Sequence, residues 1–259
     1  MSDDLTIMLT NDDGIDSPGI RALYDGLVDL GEVFVVAPSS DQSAVGRSMS
    51  NEVTVQTHEL GYSIAGTPSD CVVAGLEALG PYPDIVISGC NKGANIGMYV
   101  LGRSGTVSAA VEAAYFGIPA ISTSLYVPES DIRFEERATD PDQYSEAVRA
   151  TKYLVEHTMD AGVFEQADYL NVNAPMPQDS SGEMVITSPS HAYDMDATSD
   201  GDTITLHDRM WERMATGDIP DPPGTDRYAI VNGDISVSPL TAPHSTQHHE
   251  ALDGLAETF

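Results

Sequence analysis

The sequence predicts an α/β protein: a doubly wound, mostly parallel sheet followed by a C-terminal β-rich extension. Three observations predict it. Short apolar runs alternate with amphipathic helical stretches from residue 5 to about 172, the pattern of repeated βαβ units. Polar, glycine-bearing loops follow several of the apolar runs directly. Beyond about Glu183 the helical rhythm fades, and short strand-like runs are separated by Gly, Asp and Pro. The expected organisation is one domain over 1–259, with an α/β core at 1–182 and a β-rich arm and C-terminal segment at 183–259.

Each element has its own signal. Leu5–Thr10 is a short apolar run with the look of a buried parallel strand. Asn11-Asp12-Asp13-Gly14 follows, then a helix with Ser17 at the N-cap and Pro18 at its first position. Ile20, Leu23, Leu27 and Leu30 recur at helical spacing, and Gly31 ends the pattern. Val33–Ala37 is the next strand, which closes a βαβ unit and predicts parallel pairing. Thr67-Pro68-Ser69-Asp70 has the form of a capping box and opens a helix through Leu79. Asp84–Ser88 is a strand, 89–102 a glycine-rich loop, and about 105–116 a helix stopped by Gly117 and Pro119. Ala120–Leu125 is a strand, Asp140-Pro141 starts a helix, and Tyr169–Val172 is a strand. In the arm, Met184–Thr187, Thr203–Leu206, Tyr228–Val231 and Ile235–Val237 all read as strands, and 216–224 as a flexible Gly/Pro loop.

Composition removes several function classes. Forty-one Asp and Glu against eleven Lys and Arg leave a formal charge of −30, and Lys92 and Lys152 are the only lysines. The acids are scattered, which describes a hydrated surface suited to high salt and points to a salt-loving host. Such a field repels nucleic acid, and no basic patch offsets it. No apolar run reaches the ~20 residues of a membrane span. The start, Met-Ser-Asp-Asp, has no secretory pattern, and Cys71 and Cys90 read as reduced thiols, so the expected location is the cytoplasm.

In a doubly wound sheet, ligands bind where loops leave the carboxyl ends of the strands. Those loops carry Asn11, Asp12 and Asp13 after the first strand, Ser43 after the second, and Asn91 and Asn95 after the strand at 84–88. Together they offer two carboxylates, a hydroxyl and amide oxygens, an all-oxygen set that suits Mg²⁺ or Mn²⁺. Each piece alone also reads as turn chemistry; their coincidence at successive strand ends carries the functional reading. At 102–110 a glycine-rich turn opens into a helix. Its free N–H groups, with the hydroxyls of Ser104 and Thr106, read either as a phosphate seat or as ordinary capping by Ser104. A Walker lysine motif, a dinucleotide fingerprint and a Gly-x-Ser-x-Gly elbow are missing from the sequence.

These segments in order, Thr10–Gly14 with Ser17-Pro18-Gly19, Val36-Ala37-Pro38 with Ser43, Gly66–Cys71, Pro83–Asn91 with Gly93–Gly97, and Ser104–Ala110, resemble the SurE (survival protein E) family of 5′/3′-nucleotidases. The resemblance is dense over 5–125 and returns at Asn171-Val172-Asn173 and from Gly224-Thr225-Asp226 through Ser238-Pro239-Leu240. It implies a Rossmann-like core and a metal-dependent phosphomonoesterase acting on nucleoside 5′- and 3′-monophosphates, with one Mg²⁺ or Mn²⁺ per subunit. The implied metal ligands are Asp12, Asp13, Ser43 and Asn91. Asn95 and Ser104-Gly105-Thr106 match the part of the pattern that faces the phosphate, and Asn11 joins them as a candidate substrate contact. A C-terminal β extension used for homodimer or homotetramer contacts is implied as well. Around 189–223 the sequence departs from the family pattern, which leaves subunit exchange and the outer substrate pocket open.

Adjacent acids, rather than an Asp-x-Asp pair, favour direct attack by water over a covalent intermediate, and either Asp12 or Asp13 can take the proton. Two other readings stand beside this one: a non-catalytic nucleotide- or metal-binding module, and a phosphatase for polyphosphate or sugar phosphates.

Overall fold

The computed structural model describes residues 5–128, 133–242, 244–245 and 250–258. Met1–Asp4, on which part of the location reading rests, lie outside the described residues. The strands are β1 (Leu5–Thr10), β2 (Gly31–Pro38), β3 (Thr54–His58), β4 (Gly61–Ala65), β5 (Ile85–Lys92), β6 (Ala120–Tyr126), β7 (Tyr169–Pro175), β8 (Met184–Ile186), β9 (Met195–Asp200), β10 (Thr203–Asp208) and β11 (Ile235–Leu240). The helices are α1 (Pro18–Leu27), α2 (Pro68–Ala74), α3 (Met98–Leu101), α4 (Gly105–Tyr115), α5 (Ser145–Thr158), α6 (Arg209–Thr216), α7 (Asp226–Val231) and α8 (Glu250–Thr258).

Among the described residues, nine strands form one sheet in the order β3-β4-β2-β1-β5-β6-β7-β11-β8, and β9 and β10 form a separate antiparallel hairpin. The run β4-β2-β1-β5-β6-β7 is parallel throughout. Antiparallel pairs appear only towards its edges, at β3-β4 and β7-β11. The expected α/β, mostly parallel, doubly wound architecture is therefore present.

The sheet is covered on both faces, which is why its central strands read as unbroken apolar runs. Ile7 and Leu9 of β1 pack with Ile20, Leu23 and Leu27 of α1 and Leu154 of α5. Met8, one residue out of phase, packs with Cys71 and Val72 of α2 and Val107 and Ala110 of α4. Each large apolar side chain fully buried here is worth roughly 1.5–3 kcal/mol of transfer free energy. Packing is close at α1, where a Cβ on Gly19 would stand 2.0 Å from the Cys90 carbonyl oxygen. That contact sets the first helix against β5, and with it the polar turn between β1 and α1.

The arm differs from its sequence reading. Tyr228–Val231, expected as a strand, lies in helix α7: the Thr225 hydroxyl caps it by accepting the Tyr228 N–H, and Asp226 sits in its first turn. The β-branched and aromatic run imitates a strand, and the Thr-Asp cap decides otherwise. Helix α6 was not expected; Met210 and Met214, one turn apart, bury its inner face, and Asp208 caps it. β9, Met-Asp-Ala-Thr-Ser-Asp, is too polar to read as a strand and forms only by pairing with β10. β3, largely exposed, was missed for the same reason, and β4 with it. The segment at 217–224 lacks a regular element, as expected, yet Asp221 within it is buried and bonded to Arg227. β8 and β11 extend the main sheet, so the part that projects is the β9-β10 hairpin with α6.

Candidate active site

The carboxyl end of β1 delivers Asn11, Asp12 and Asp13. Asn11 is fully buried and fixes the turn: its Nδ2 donates to the Gly14 carbonyl and the Ser17 hydroxyl, both at 2.8 Å. Ser17 thus spends its side chain on Asn11 and makes no side-chain cap for α1. Gly14 takes φ +98°, a left-handed conformation that glycine adopts without strain.

Asp12 is only 3% exposed. Its Oδ1 accepts the Thr106 hydroxyl at 2.5 Å. The carboxylate therefore lies on the start of α4, where the helix dipole favours negative charge. Gly105 allows this approach, because a Cβ there would stand 2.8 Å from Asp12 Cβ. Burial nevertheless dominates and pushes the Asp12 carboxyl above its ordinary range. Asp13 accepts the Lys92 backbone N–H at 2.9 Å. Burial, and then the neighbouring charge of Asp12, push the Asp13 carboxyl up to about 7.

A cavity of about 670 Å³ opens beside Asp12, and Ser43, Asn91, Asn95 and Ser104 share its wall. Three separate loops thus meet there, as the strand-end argument expects. Ser43 is carried by a loop tied back at two points: Gln42 N–H donates to the Asp12 carbonyl at 2.7 Å, and Gly46 N–H to the Arg103 carbonyl at 3.0 Å. The Ser43 hydroxyl itself donates to Asp41 at 2.6 Å. Asn91 Nδ2 donates to the Gly93 carbonyl. Asn95 is held at both ends of its backbone unit. Its N–H donates to Asn173 Oδ1 at 2.8 Å, and its carbonyl accepts Asn171 and Asn173 Nδ2 at 2.9 and 3.1 Å. This gives the Asn171-Val172-Asn173 stretch a role, as the buried clamp of the Asn95 loop.

Other predicted residues fall elsewhere. Asp13 lines a neighbouring cavity of about 360 Å³ together with Asp41, and Lys92 borders both cavities. Asn11, Gly105 and Thr106 line neither of the two. Thr106 is fully buried and holds Asp12, and Ser104 Oγ accepts the Val107 N–H as the N-cap of α4. A carboxylate of the protein itself thus reaches the start of α4, and Ser104 caps that helix from the cavity wall.

Sequence reasoning missed the aromatic and hairpin side of the cavity: Tyr99, Arg103, Tyr126, Phe134, Asp208 and Trp211. Its one available signal was compositional, since Trp211 is the only tryptophan in the chain. These residues come from segments far apart in sequence, and only the hairpin's position over the site joins them.

The residues present fit a hard divalent cation. Both adjacent carboxyls are pushed up, first by burial and then by nearby carboxylates, Asp41 for Asp12 and Asp12 with Asp41 for Asp13, a state that a bound cation relieves. Asn11 Oδ1 is buried without a hydrogen-bond partner in the same turn. Among the described residues, no group of three or more His, Cys, Asp and Glu is placed to hold a metal. Asp12, Ser43 and Asn91 on the shared cavity wall offer carboxylate, hydroxyl and amide oxygens, the donor chemistry of a hard divalent cation.

Comparison with known proteins places the chain in a family. The family model described as survival protein SurE matches residues 7–195. A protein named 5′-nucleotidase SurE from Haloarcula marismortui is 63% identical over 258 residues, covering 99% of this chain and 96% of that protein. One of the same name from Methanoculleus marisnigri is 36% identical over 243 residues, covering 91% of this chain and 90% of that protein. The crystal structure of the SurE protein from Aquifex aeolicus superposes with a TM-score of 0.75 at 30% identity, covering 98% of this chain and 99% of that one. With the strand-end oxygens already in place and the family model spanning most of the sheet, the chain belongs to the SurE family.

Proposed function

We infer that the chain is a metal-dependent 5′-nucleotidase: it hydrolyses nucleoside monophosphates, 5′ and also 3′, to nucleoside and inorganic phosphate. The observation that carries this reading is the adjacent Asp12-Asp13 pair at the end of β1, with Asp12 buried on the wall of a cavity of nucleotide size and Asp13, half-buried, lining the neighbouring cavity. Asp12, Asp13, Ser43 and Asn91 would hold the metal, Mg²⁺ or Mn²⁺, one per subunit. When bound, it supplies Lewis acidity to the phosphoryl group and lowers the pKa of the attacking water.

The chain's own residues orient and desolvate. Thr106 fixes the Asp12 carboxylate, the Lys92 N–H fixes Asp13, and the Asn171/Asn173 clamp fixes Asn95. Water adds to phosphorus as the P–O bond to the nucleoside breaks, and the proton that a carboxylate takes from the water passes on to the departing nucleoside oxygen. Tyr126, Phe134 and Trp211 supply an apolar wall for the nucleoside.

Two further parts of the reading concern the whole molecule. A homodimer or homotetramer joined through the arm is supported by Ile204 and Leu206, which the hairpin leaves 67% and 71% exposed. A cytoplasmic location is supported by Cys71 and Cys90, both free and buried on opposite sides of the sheet. No helix among the described residues is long and apolar enough to cross a membrane. The test is phosphate release from 5′-AMP in molar KCl, with EDTA and then with added Mn²⁺. Activity that EDTA abolishes and Mn²⁺ restores is expected; undiminished activity in a metal-free preparation contradicts the reading.

A further inference from the structure

Arg103 is anomalous in a chain with nearly four acidic residues for each basic one. Of the eleven Lys and Arg side chains, eight make ion pairs with carboxylates: Arg21, Arg47, Arg133, Arg149, Lys152, Arg209, Arg213 and Arg227. Arg137 donates to the Pro128 carbonyl, and Lys92 is engaged beside the Phe134 ring. The Arg103 guanidinium has neither a carboxylate nor a carbonyl on it among the described residues. That group lies 5.3 Å from the centre of the Tyr99 ring, on the wall of the cavity that Asp12 and Ser104 share.

The platform beneath it is built. The Tyr99 hydroxyl donates to Asp208 Oδ2 at 2.8 Å, and Tyr193 packs edge-on against the Tyr99 ring at 5.0 Å between centroids. Asp208 closes β10 and caps α6, so the hairpin holds the ring that carries the arginine. A guanidinium stacked on an aromatic face keeps its N–H fork free for a planar or tetrahedral anion. The backbone of Arg103 is fixed too, since its carbonyl accepts the Gly46 N–H of the Ser43 loop.

We propose that Arg103 contacts the phosphate group of the substrate and that Tyr99 is the positioning residue that aims it. The proposal rests on the phosphatase reading above. At molar salt the Debye length is only ~3 Å, so an arginine cannot work here by long-range attraction. It acts by direct, bidentate hydrogen bonding, which lysine reproduces only in part.

The test measures KM and kcat for 5′-AMP and the inhibition constant of inorganic phosphate, all at saturating Mn²⁺ in molar KCl. Arg103→Met should raise KM and the phosphate inhibition constant by roughly 10- to 100-fold with a smaller change in kcat, and Arg103→Lys should recover part of the loss. Tyr99→Leu should raise both constants less, and its effect should vanish in the Arg103→Met background. Arg103 is exposed, so its variants are expected to fold. A phosphate inhibition constant within twofold of wild type in folded Arg103→Met overturns the contact. A Tyr99→Leu effect that persists unchanged in the double variant overturns the positioning. Wild-type turnover is the control: its absence with Mn²⁺ sinks the phosphatase reading, whereas normal wild-type turnover beside an unaltered Arg103→Met sinks this proposal alone.

Discussion

Thr106 reaches across 94 residues of sequence to donate its hydroxyl to Asp12 Oδ1 at 2.5 Å, which makes the first turn of α4 a cradle for the protein's own carboxylate. The sequence alone offered Thr106 as a phosphate contact, whose loss would leave metal affinity nearly unchanged. Its position beneath Asp12 reverses that expectation. Thr106→Val should weaken Mn²⁺ binding and lower kcat together, by on the order of tenfold each, because a charge-assisted hydrogen bond of ~1.5–3 kcal/mol is lost from a buried carboxylate. Thr106→Ser should stay close to wild type. Mn²⁺ titration of both variants, read by calorimetry and by turnover, decides between the two roles.

Asp13→Asn keeps the shape of the side chain, and its Oδ1 can still accept the Lys92 N–H. It removes one charge from the pair. Turnover should fall by orders of magnitude even at saturating Mn²⁺, since the site then holds its metal with less charge. Circular dichroism should show an intact fold. A folded variant with near-normal kcat would leave the Asp12-Asp13-Gly14 stretch as a turn and nothing more.

The extent of legibility follows from where each signal is local. β1, α1 and β2 were readable because each signal is local, apolar runs for the strands and Ser17-Pro18 with a helical apolar period for α1, though the helix stops at Leu27 and Gly31, expected to end it, opens β2. The strand-end residues Asp12, Ser43 and Asn91 were readable because parallel topology alone says where loops converge. The bond from Thr106 to Asp12 was not legible, because a helix N-terminus invites any anion and nothing local says that Asp12 reaches it. α7 was read as a strand because a six-residue helix carries too little periodicity to outweigh a Tyr-Ala-Ile-Val run. Tyr99 and Arg103 gave no signal, and Trp211 only a compositional one, since their chemistry arises where the hairpin folds over the site.

The net charge of −30 should make stability depend on salt. Self-repulsion is strong in dilute buffer and largely screened in molar KCl. The melting temperature should rise steadily across a KCl series from low to molar concentration. A flat or falling series would mean that the acidic surface does not set the stability of this fold.

The arm should carry self-association. Truncation near 183 cannot test this cleanly, because β11 pairs with β7 inside the main sheet and would be lost with it. Ile204→Asp is the better probe: the side chain is largely exposed on the hairpin and is absent from the cavity wall. Sedimentation in high salt should give a dimer or tetramer for the wild type and monomers for the variant. A wild type that sediments as a monomer would contradict the assembly.

Arg227 offers the last test, of what fixes the loop after Asn95. It is 1% exposed and pairs with Asp221 at 2.9 Å, while its neighbour Asp226 accepts the Gly97 N–H at 2.7 Å and the Ser190 N–H at 2.9 Å. The guanidinium also explains Gly97, where a Cβ would stand 2.8 Å from Arg227 Nη2. Arg227→Met should destabilise strongly, by ~3–5 kcal/mol, because it strands the buried Asp221 carboxylate. Adding Asp221→Leu removes that stranded charge and should recover much of the loss, since an apolar pair of similar volume often replaces a buried ion pair at little cost. Urea unfolding of both variants in the same KCl concentration makes the comparison. If the double variant is as unstable as the single one, the ion pair is not what Arg227 contributes, and its packing against Gly97 accounts for its burial instead.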